Sequence, residues 1–379
     1  MKVLMTTDPI GGVWHYTLEL CAALSSHHVQ VCLATLGGEP SRAQRAQLSR
    51  LAGVTLYPSS FRLEWMADPW EDLELAGQWL LSLERKTGPD IVHLNHLVHA
   101  DLPWRAPVVS VGHSCVLSWW AAVRREEVPA EWGLYRRRVK ESLRAARVVV
   151  APTLAMLREL ERYYGPFRQT AVVHNARSHT LFRRGDKERL ILSAGRVWDG
   201  AKNVAALAAV ARGVAAPIVV AGETVSPDGQ SVSVPEVRLL GALNAEELAG
   251  WYSRAAVYAL PARYEPFGLT ALEAALSGCA LVLGDIDSLR EVWGSAARYV
   301  SPDDPSALRD TLNELLANDS LRCALAARAL GRAQQLKPSR FVLEYLGLYR
   351  KLLSAHRGGG GRSLARARRA GLRPAVNGS

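Results

Sequence analysis

The chain has 379 residues, 49% of them hydrophobic and 22% charged, which excludes a wholly disordered polypeptide and allows about two domains with a sizeable core. A net charge of +10 suits partners that carry phosphate or an anionic surface. No uncharged apolar run reaches the roughly 18 residues of a membrane span, and the five scattered cysteines exclude a disulfide framework. Cys21, Cys32, Cys115, Cys279 and Cys323 read as reduced thiols, which places the protein in the cytoplasm.

The opening MKVLMTTDPIGG reads as a strand running into a glycine loop, without the apolar stretch and cleavage site of a secretion signal. Short apolar runs then alternate with amphipathic stretches. Strands are expected at 2–7, 29–36, 54–58, 90–95, 107–113, 147–153 and 170–175, with helical patterns such as 14–27 and 72–86 between them. That alternation is the mark of a parallel sheet covered on both faces. The polar stretch from Ala176 to Glu188 breaks it and reads as a linker. A second series follows, with strands at 189–197, 217–223, 237–243, 256–262, 280–286 and 297–302, and the pattern from 304 to 355 is all helical. The expected class is therefore α/β, with two doubly wound domains, 1–176 and 189–336, facing each other across a cleft. The linker is 177–188, and a helix at 337–355 packs back toward the first domain. Residues 356–379 hold six arginines and no acid after a glycine run, and read as a disordered basic tail. The tail has no aromatic residue for base stacking, so peripheral contact with an anionic membrane is expected of it rather than nucleic-acid binding.

In such sheets ligands bind beyond the carboxyl ends of the strands. Gly11 and Gly12 lie there, between the first strand and the first helix, where paired glycines let backbone amides approach an anion. The loop is not G-x-G-x-x-G, so a nicotinamide or flavin dinucleotide is not expected. In the second half, SAGRVWDGAKN places Arg196 and Lys202 around a loop that opens a helix, and two cations there suit a diphosphate. The stretch VYALPARYEPFGLTALEAAL is a strand, a turn and a helix whose free amides, Gly268 to Thr270, favour phosphate. Its acids, Glu265 in the loop and Glu273 inside the helix, suit vicinal hydroxyls such as those of a ribose or a sugar. Acids and cations on neighbouring loops together describe a sugar nucleotide.

Three further places could face the cleft. His113 ends a strand, Asn95 and His96 follow another, and Trp119 and Trp120 could stack on an acceptor sugar or anchor the core. His93, His96 and His99 lack the spacing of a zinc site, and no metal is expected.

These pieces, above all YEPFGLTALEAALSG with its two acids eight positions apart, make the chain resemble the retaining GT-B glycosyltransferases of family 4 over roughly residues 1–350. The resemblance implies two Rossmann-like domains, a nucleoside-diphosphate sugar as donor, no cofactor, and no metal. It implies Glu273 as the ribose acid and Glu265 as the acid that holds donor-sugar hydroxyls. Arg196 and Lys202 would clamp the diphosphate, with Phe267, Gly268, Leu269 and Thr270 beside it and Gly12 covering it from the first domain. His113 would contact the donor sugar near its reacting carbon. Two departures touch only turns: Ala176 follows Asn175 where many relatives have Gly, and Asn203 follows Lys202. The expected activity is transfer of a hexose to a hydroxyl acceptor, a glycan, lipid-linked sugar or metabolite. An epimerase on the same fold and a non-catalytic sugar-nucleotide-binding protein are the alternatives.

Overall fold

The computed structural model describes residues 1–226 and 229–369. The first half holds β1 (Lys2–Thr7), α1 (Gly12–Ser25), β2 (Gln30–Thr35), α2 (Arg42–Ser49), β3 (Val54–Tyr57), α3 (Trp70–Thr87), β4 (Ile91–Leu94), β5 (Val108–Val111), α4 (Val116–Val123), α5 (Gly133–Ala145), β6 (Val148–Ala151), α6 (Leu154–Tyr164) and β7 (Thr170–Val172). The second holds β8 (Glu188–Ala194), α7 (Val204–Val210), β9 (Ile218–Ala221), β10 (Arg238–Leu239), α8 (Ala245–Arg254), β11 (Ala255–Leu260), α9 (Leu269–Leu276), β12 (Ala280–Gly284), α10 (Asp287–Trp293) and β13 (Arg298–Val300). Three helices close the chain: α11 (Pro305–Ala317), α12 (Asp319–Ala333) and α13 (Pro338–Arg369).

Each of the thirteen expected strands forms, and all pair in parallel. The sheet orders are β3-β2-β1-β4-β5-β6-β7 and β10-β9-β8-β11-β12-β13. Both are doubly wound, and in each the order reverses beside the first strand, between β1 and β4 and between β8 and β11. Those two switch points put the loops after β1, β8 and β11 at the mouth of the cleft. The central strands are largely apolar because helices cover both faces; β6 and β11 are buried at every residue.

Local chemistry sets the helix ends. Glu71 and Asp72 begin α3 and Arg85 and Lys86 end it, matching the helix dipole, before Gly88 closes it in a left-handed conformation. Asn244 and Glu247 cap α8 reciprocally. The last helix crosses back to the first domain. Its Phe341, Tyr345, Tyr349 and Leu352 are buried in one cluster with Val3, Met5, Leu20 and Val109.

One expectation needs correction. The segment read as a disordered tail from residue 356 is helical in its first part, because α13 runs on to Arg369. The leucine, alanines and arginines of 364–369 are strong helix formers, and a helix already nucleated at Pro338 needs only to propagate through the glycines. Residues 370–379 of that expected tail lie outside the described residues. Among the described residues no helix is long and apolar enough to cross a membrane.

The halves touch beside the cleft. Tyr264, in the loop after β11, places its hydroxyl 2.8 Å from Ser118 Oγ and accepts from the Cys115 amide at 3.3 Å. Thr153 Oγ1 donates to the Pro266 carbonyl at 2.9 Å. Glu291 of α10 accepts from the Leu154 and Ala155 amides, so a carboxylate of one half sits on the positive end of α6 in the other.

Candidate active site

The site assembles where the two switch points face each other. Gly11, the residue before α1, has a φ of +72° that disfavours any side chain, and a methyl added at Gly12 would lie 3.9 Å from Leu269 Cδ1. The glycine loop of the first half therefore meets the start of α9 in the second. Gly268 begins that helix with a φ of +89°, leaving the amides after it turned toward the cleft without a side-chain cap.

Of the cations and acids expected from the sequence, Lys202 and Glu265 pair with each other, while Arg196 and Glu273 pair with groups the sequence did not mark. Lys202 Nζ is 2.6 Å from Glu265 Oε2. Its stem lies along Gly195, whose added Cβ would be 3.1 Å from Lys202 Cγ, so a glycine is what lets the lysine run to the cleft. The other Glu265 oxygen, Oε1, accepts from the Gly268 amide at 2.9 Å, and its backbone carbonyl accepts from Ser288 Oγ at 2.6 Å. Glu265 is thus held from three sides at the mouth of α9. Arg196 pairs with Asp199 Oδ2 at 2.9 Å, and its guanidinium stands over the Trp198 ring at 5.0 Å. Buried Asp199 also accepts from the Ala201 amide and from Trp119 Nε1, both through Oδ1.

Glu273 is buried and does not stand alone. Its Oε1 accepts from Arg177 Nε at 2.7 Å, and Arg177 Nη1 donates in turn to Glu19 Oε1 of α1 at 3.1 Å. Burial pushes the Glu273 carboxyl up, while the guanidinium opposes that shift. Thr270 Oγ1 lies 2.7 Å from the buried Tyr258 hydroxyl. Phe267 is buried at the foot of the loop, beside the half-buried His174 ring.

In the first half the expectations divide. His113 is half-buried at the end of β5, with Nε2 3.0 Å from Asn95 Oδ1. Asn95 and His96, expected to line the cleft, are instead 5% and 6% exposed. The Asn95 amide is engaged by Thr6, His93 and His113, and His96 Nε2 is paired with His99 Nδ1 at 3.0 Å. Neither presents a surface to an acceptor, because β4 is an interior strand and its carboxyl end is covered from both sides. Trp119 ties α4 to the Arg196 loop through Asp199, and Trp120 packs beside it edge-on at 6.2 Å. Trp119 thereby joins the two halves, and the Arg124 guanidinium stands over the Trp120 ring at 5.9 Å.

Several residues at the site escaped the sequence reading. Asp8 directly follows β1, ahead of the glycine loop. Burial pushes its carboxyl up to about 7, against the lowering effect of its hydrogen bond from the Ile10 amide and of Arg196. The stretch TTDPIGG carried that signal, an acid at a strand's carboxyl end. Glu64 accepts from the Leu97 amide at 3.0 Å, and burial pushes it up as well. Nothing in its surroundings in the sequence marks it. Arg177 lay in a stretch that reads only as a polar linker. Among the described residues no group of three or more His, Cys, Asp or Glu side chains is arranged to hold a metal ion.

The buried histidines make the fold sensitive to acid. Burial pulls His93 and His113 down to about 3 and His15 to about 4, and it lowers His96 and His99 too. Unfolded, each titrates near 6.5. Between the two values the unfolded chain binds more protons, so this stabilisation is complete above about pH 6.5 and is lost as pH falls. The raised carboxyls of Asp8, Glu64 and Glu273 act in the opposite sense, but they are three against five. The urea midpoint is therefore expected to fall steadily from about pH 7 to about pH 4.5; a flat profile would contradict the burial of these rings.

The comparisons agree with this geometry. Residues 10–180 match the family described as Glycosyltransferase Family 4, and residues 188–318 match Glycosyl transferases group 1. A D-inositol 3-phosphate glycosyltransferase of Nocardioides is 33% identical over 126 residues, which is 33% of this chain but only 28% of the relative's length. The enzyme of that name from Xylanimonas cellulosilytica is 28% identical over 85% of this chain and 87% of its own. Among solved structures, sucrose-phosphate synthase from Thermosynechococcus elongatus superposes with a TM-score of 0.77 at 19% identity, covering 94% of this chain and all of the other. The Anabaena protein HepE in complex with UDP-glucose gives 0.72 at 16%, covering 94% and 100%. The fold is the GT-B arrangement, and with a match in each half the chain belongs to the group 1 glycosyltransferases with a family 4 amino-terminal domain.

Proposed function

We propose that the protein is a retaining, metal-independent glycosyltransferase that moves a hexose from a nucleoside-diphosphate sugar to a hydroxyl acceptor. The observation that carries this is the Lys202–Glu265 pair beside the uncapped start of α9, opposite the Gly11–Gly12 loop. A diphosphate placed there finds amides and two cations, and Glu265 is free to hold sugar hydroxyls once phosphate takes over Lys202. Arg196 and Lys202 supply the positive charge that a metal would otherwise bring to the leaving group. HepE, of the same fold, was solved with UDP-glucose, which makes a uridine nucleotide the first donor to try.

In this reading the bond between the anomeric carbon and the diphosphate oxygen breaks while the acceptor hydroxyl attacks from the same face. That phosphate oxygen takes the hydroxyl proton. No side chain acts as nucleophile; Glu265 positions, and the two cations stabilise developing charge. The five free thiols suit a cytoplasmic setting, where such donors are made.

The test is thermal unfolding against a panel of nucleoside-diphosphate sugars, with release of the nucleoside diphosphate as the activity readout. A donor at a hundredfold excess over its dissociation constant stabilises the fold by about 2.7 kcal/mol. Glu265→Gln should keep the shift given by the nucleoside diphosphate alone and lose the increment added by the sugar. If no donor moves the wild-type midpoint, the reading fails. Epimerised donor appearing without any acceptor would replace it with the epimerase alternative.

A further inference from the structure

Behind His113 runs a chain of buried polar groups that the transfer reaction does not itself require. Asn95 Nδ2 donates to the Thr6 carbonyl at 2.8 Å, and the Asn95 amide donates to Thr6 Oγ1 at 2.9 Å. A carbonyl can only accept, so this contact fixes which end of the Asn95 side chain is nitrogen. Its oxygen then faces two imidazoles, His93 Nε2 at 3.1 Å and His113 Nε2 at 3.0 Å. An amide oxygen has no proton to give, so both Nε2 atoms must carry one.

Both rings are neutral, because burial depresses their basicity. A neutral imidazole has one N–H, so each Nδ1 is left as an acceptor. His93 Nδ1 is satisfied by the Tyr349 hydroxyl of α13 at 2.6 Å. The Tyr16 ring packs edge-on against His113 at 4.4 Å, and its hydroxyl donates to Tyr345 at 2.6 Å, which fixes the ring plane from the other side. His113 Nδ1 has no hydrogen-bond partner among the described residues, and His113 is half-buried at the end of β5.

We propose that Asn95, oriented by Thr6 and backed by His93 and Tyr349, is a positioning residue that holds His113 in its Nε2–H tautomer, so that Nδ1 accepts a hydrogen bond from a hydroxyl of the bound sugar. The inference rests on the functional reading above for the identity of that ligand. It adds a rule of selection. A bare imidazole nitrogen attracts an O–H and repels a phosphate or carboxylate oxygen, so the group placed against His113 is a hydroxyl. It also gives α13 a second task beyond packing, since the far end of the chain supplies the donor that satisfies His93.

The tautomer can be read directly. In the full chain labelled with 15N-histidine, two-bond proton–nitrogen correlations distinguish Nε2–H from Nδ1–H, and His113→Gln assigns the signal. The wild type should show Nε2–H at both His93 and His113. Asn95→Leu should give His113 a mixture of tautomers and lower kcat by about tenfold, the effect of one lost neutral hydrogen bond, while the midpoint shift from nucleoside diphosphate alone is kept. Asn95→Asp keeps the shape, and its carboxyl, protonated on the oxygen that faces the Thr6 carbonyl, still offers an acceptor oxygen to both imidazoles and should return the single tautomer. Nδ1–H at His113 in the wild type overturns the inference, as does an unchanged tautomer in a folded Asn95→Leu protein. If that variant fails to fold, the wild-type and Asn95→Asp spectra still decide. The spectrum is taken on the free protein, so it tests this inference even if no donor moves the midpoint, the result that would sink the functional reading instead.

Discussion

Lys202→Ala is expected to lower kcat for glycosyl transfer by roughly a hundredfold to a thousandfold, the range seen when a preorganised charge-stabilising group is removed from a buried site. Lys202 suits that role because it is already in place. Its side chain is 19% exposed, its stem is guided along Gly195, and its ammonium is held 2.6 Å from Glu265. Little reorganisation is needed when a diphosphate arrives. The substitution has a second consequence, an unpaired Glu265 facing an incoming anion. The double variant Lys202→Ala with Glu265→Gln, compared with Glu265→Gln alone, separates the two. If the loss reflects missing charge on the leaving group, Lys202→Ala costs as much in the Glu265→Gln background as in the wild type. A cost of less than about tenfold in that background would show that repulsion by Glu265 caused the defect.

Arg177→Ala is expected to cost about 3–5 kcal/mol of stability, the penalty for leaving a buried ion without its partner. Arg177 joins three parts of the chain: the segment after β7 that carries it, α1 through Glu19, and α9 through Glu273. The side chains of the pair with Glu273 are 9% and 6% exposed, so water cannot replace the guanidinium. Burial already raises the Glu273 carboxyl, and without Arg177 nothing of equal strength opposes it. For an acid with a raised native value, the folded state binds more protons than the unfolded one above the ordinary carboxyl range. Stability contributed at this site is then fullest in acid and falls as pH rises through the native value. The deficit of Arg177→Ala should therefore be larger near pH 8 than near pH 5, as read from urea unfolding of both proteins at each pH. A deficit under about 1 kcal/mol, independent of pH, would show the pair to behave as a solvated surface contact. Donor affinity should weaken too, because Arg177 fixes the rotamer of the acid assigned to the ribose.

The apolar runs and their spacing determined the strand count, the parallel class and the double winding. A strand covered on both faces is mostly apolar, and that pattern survives in one dimension, as in Val148–Ala151 and Ala255–Leu260. Local motifs determined where the glycine turns and the helix start of the candidate site lie, because glycines at a tight turn and amides at a helix start are set by neighbours in the chain. Gly11, Gly12, Arg196, Lys202, Glu265 and Gly268 could be named for that reason.

What only the tertiary structure decided is which groups are already paired and which faces are covered. Glu273 meets Arg177 across 96 positions, Trp119 meets Asp199 across 80, and His93 meets Tyr349 across 256. Asn95 looked like a cleft residue because it follows a strand, yet it is buried, since Thr6 beside it and the crossing of α13 close over that strand end. Pairings of this kind depend on how two domains and a returning helix pack. Charge and polarity in the sequence record that a partner is needed but not where it stands, because a buried hydrogen bond is chosen by distance in space.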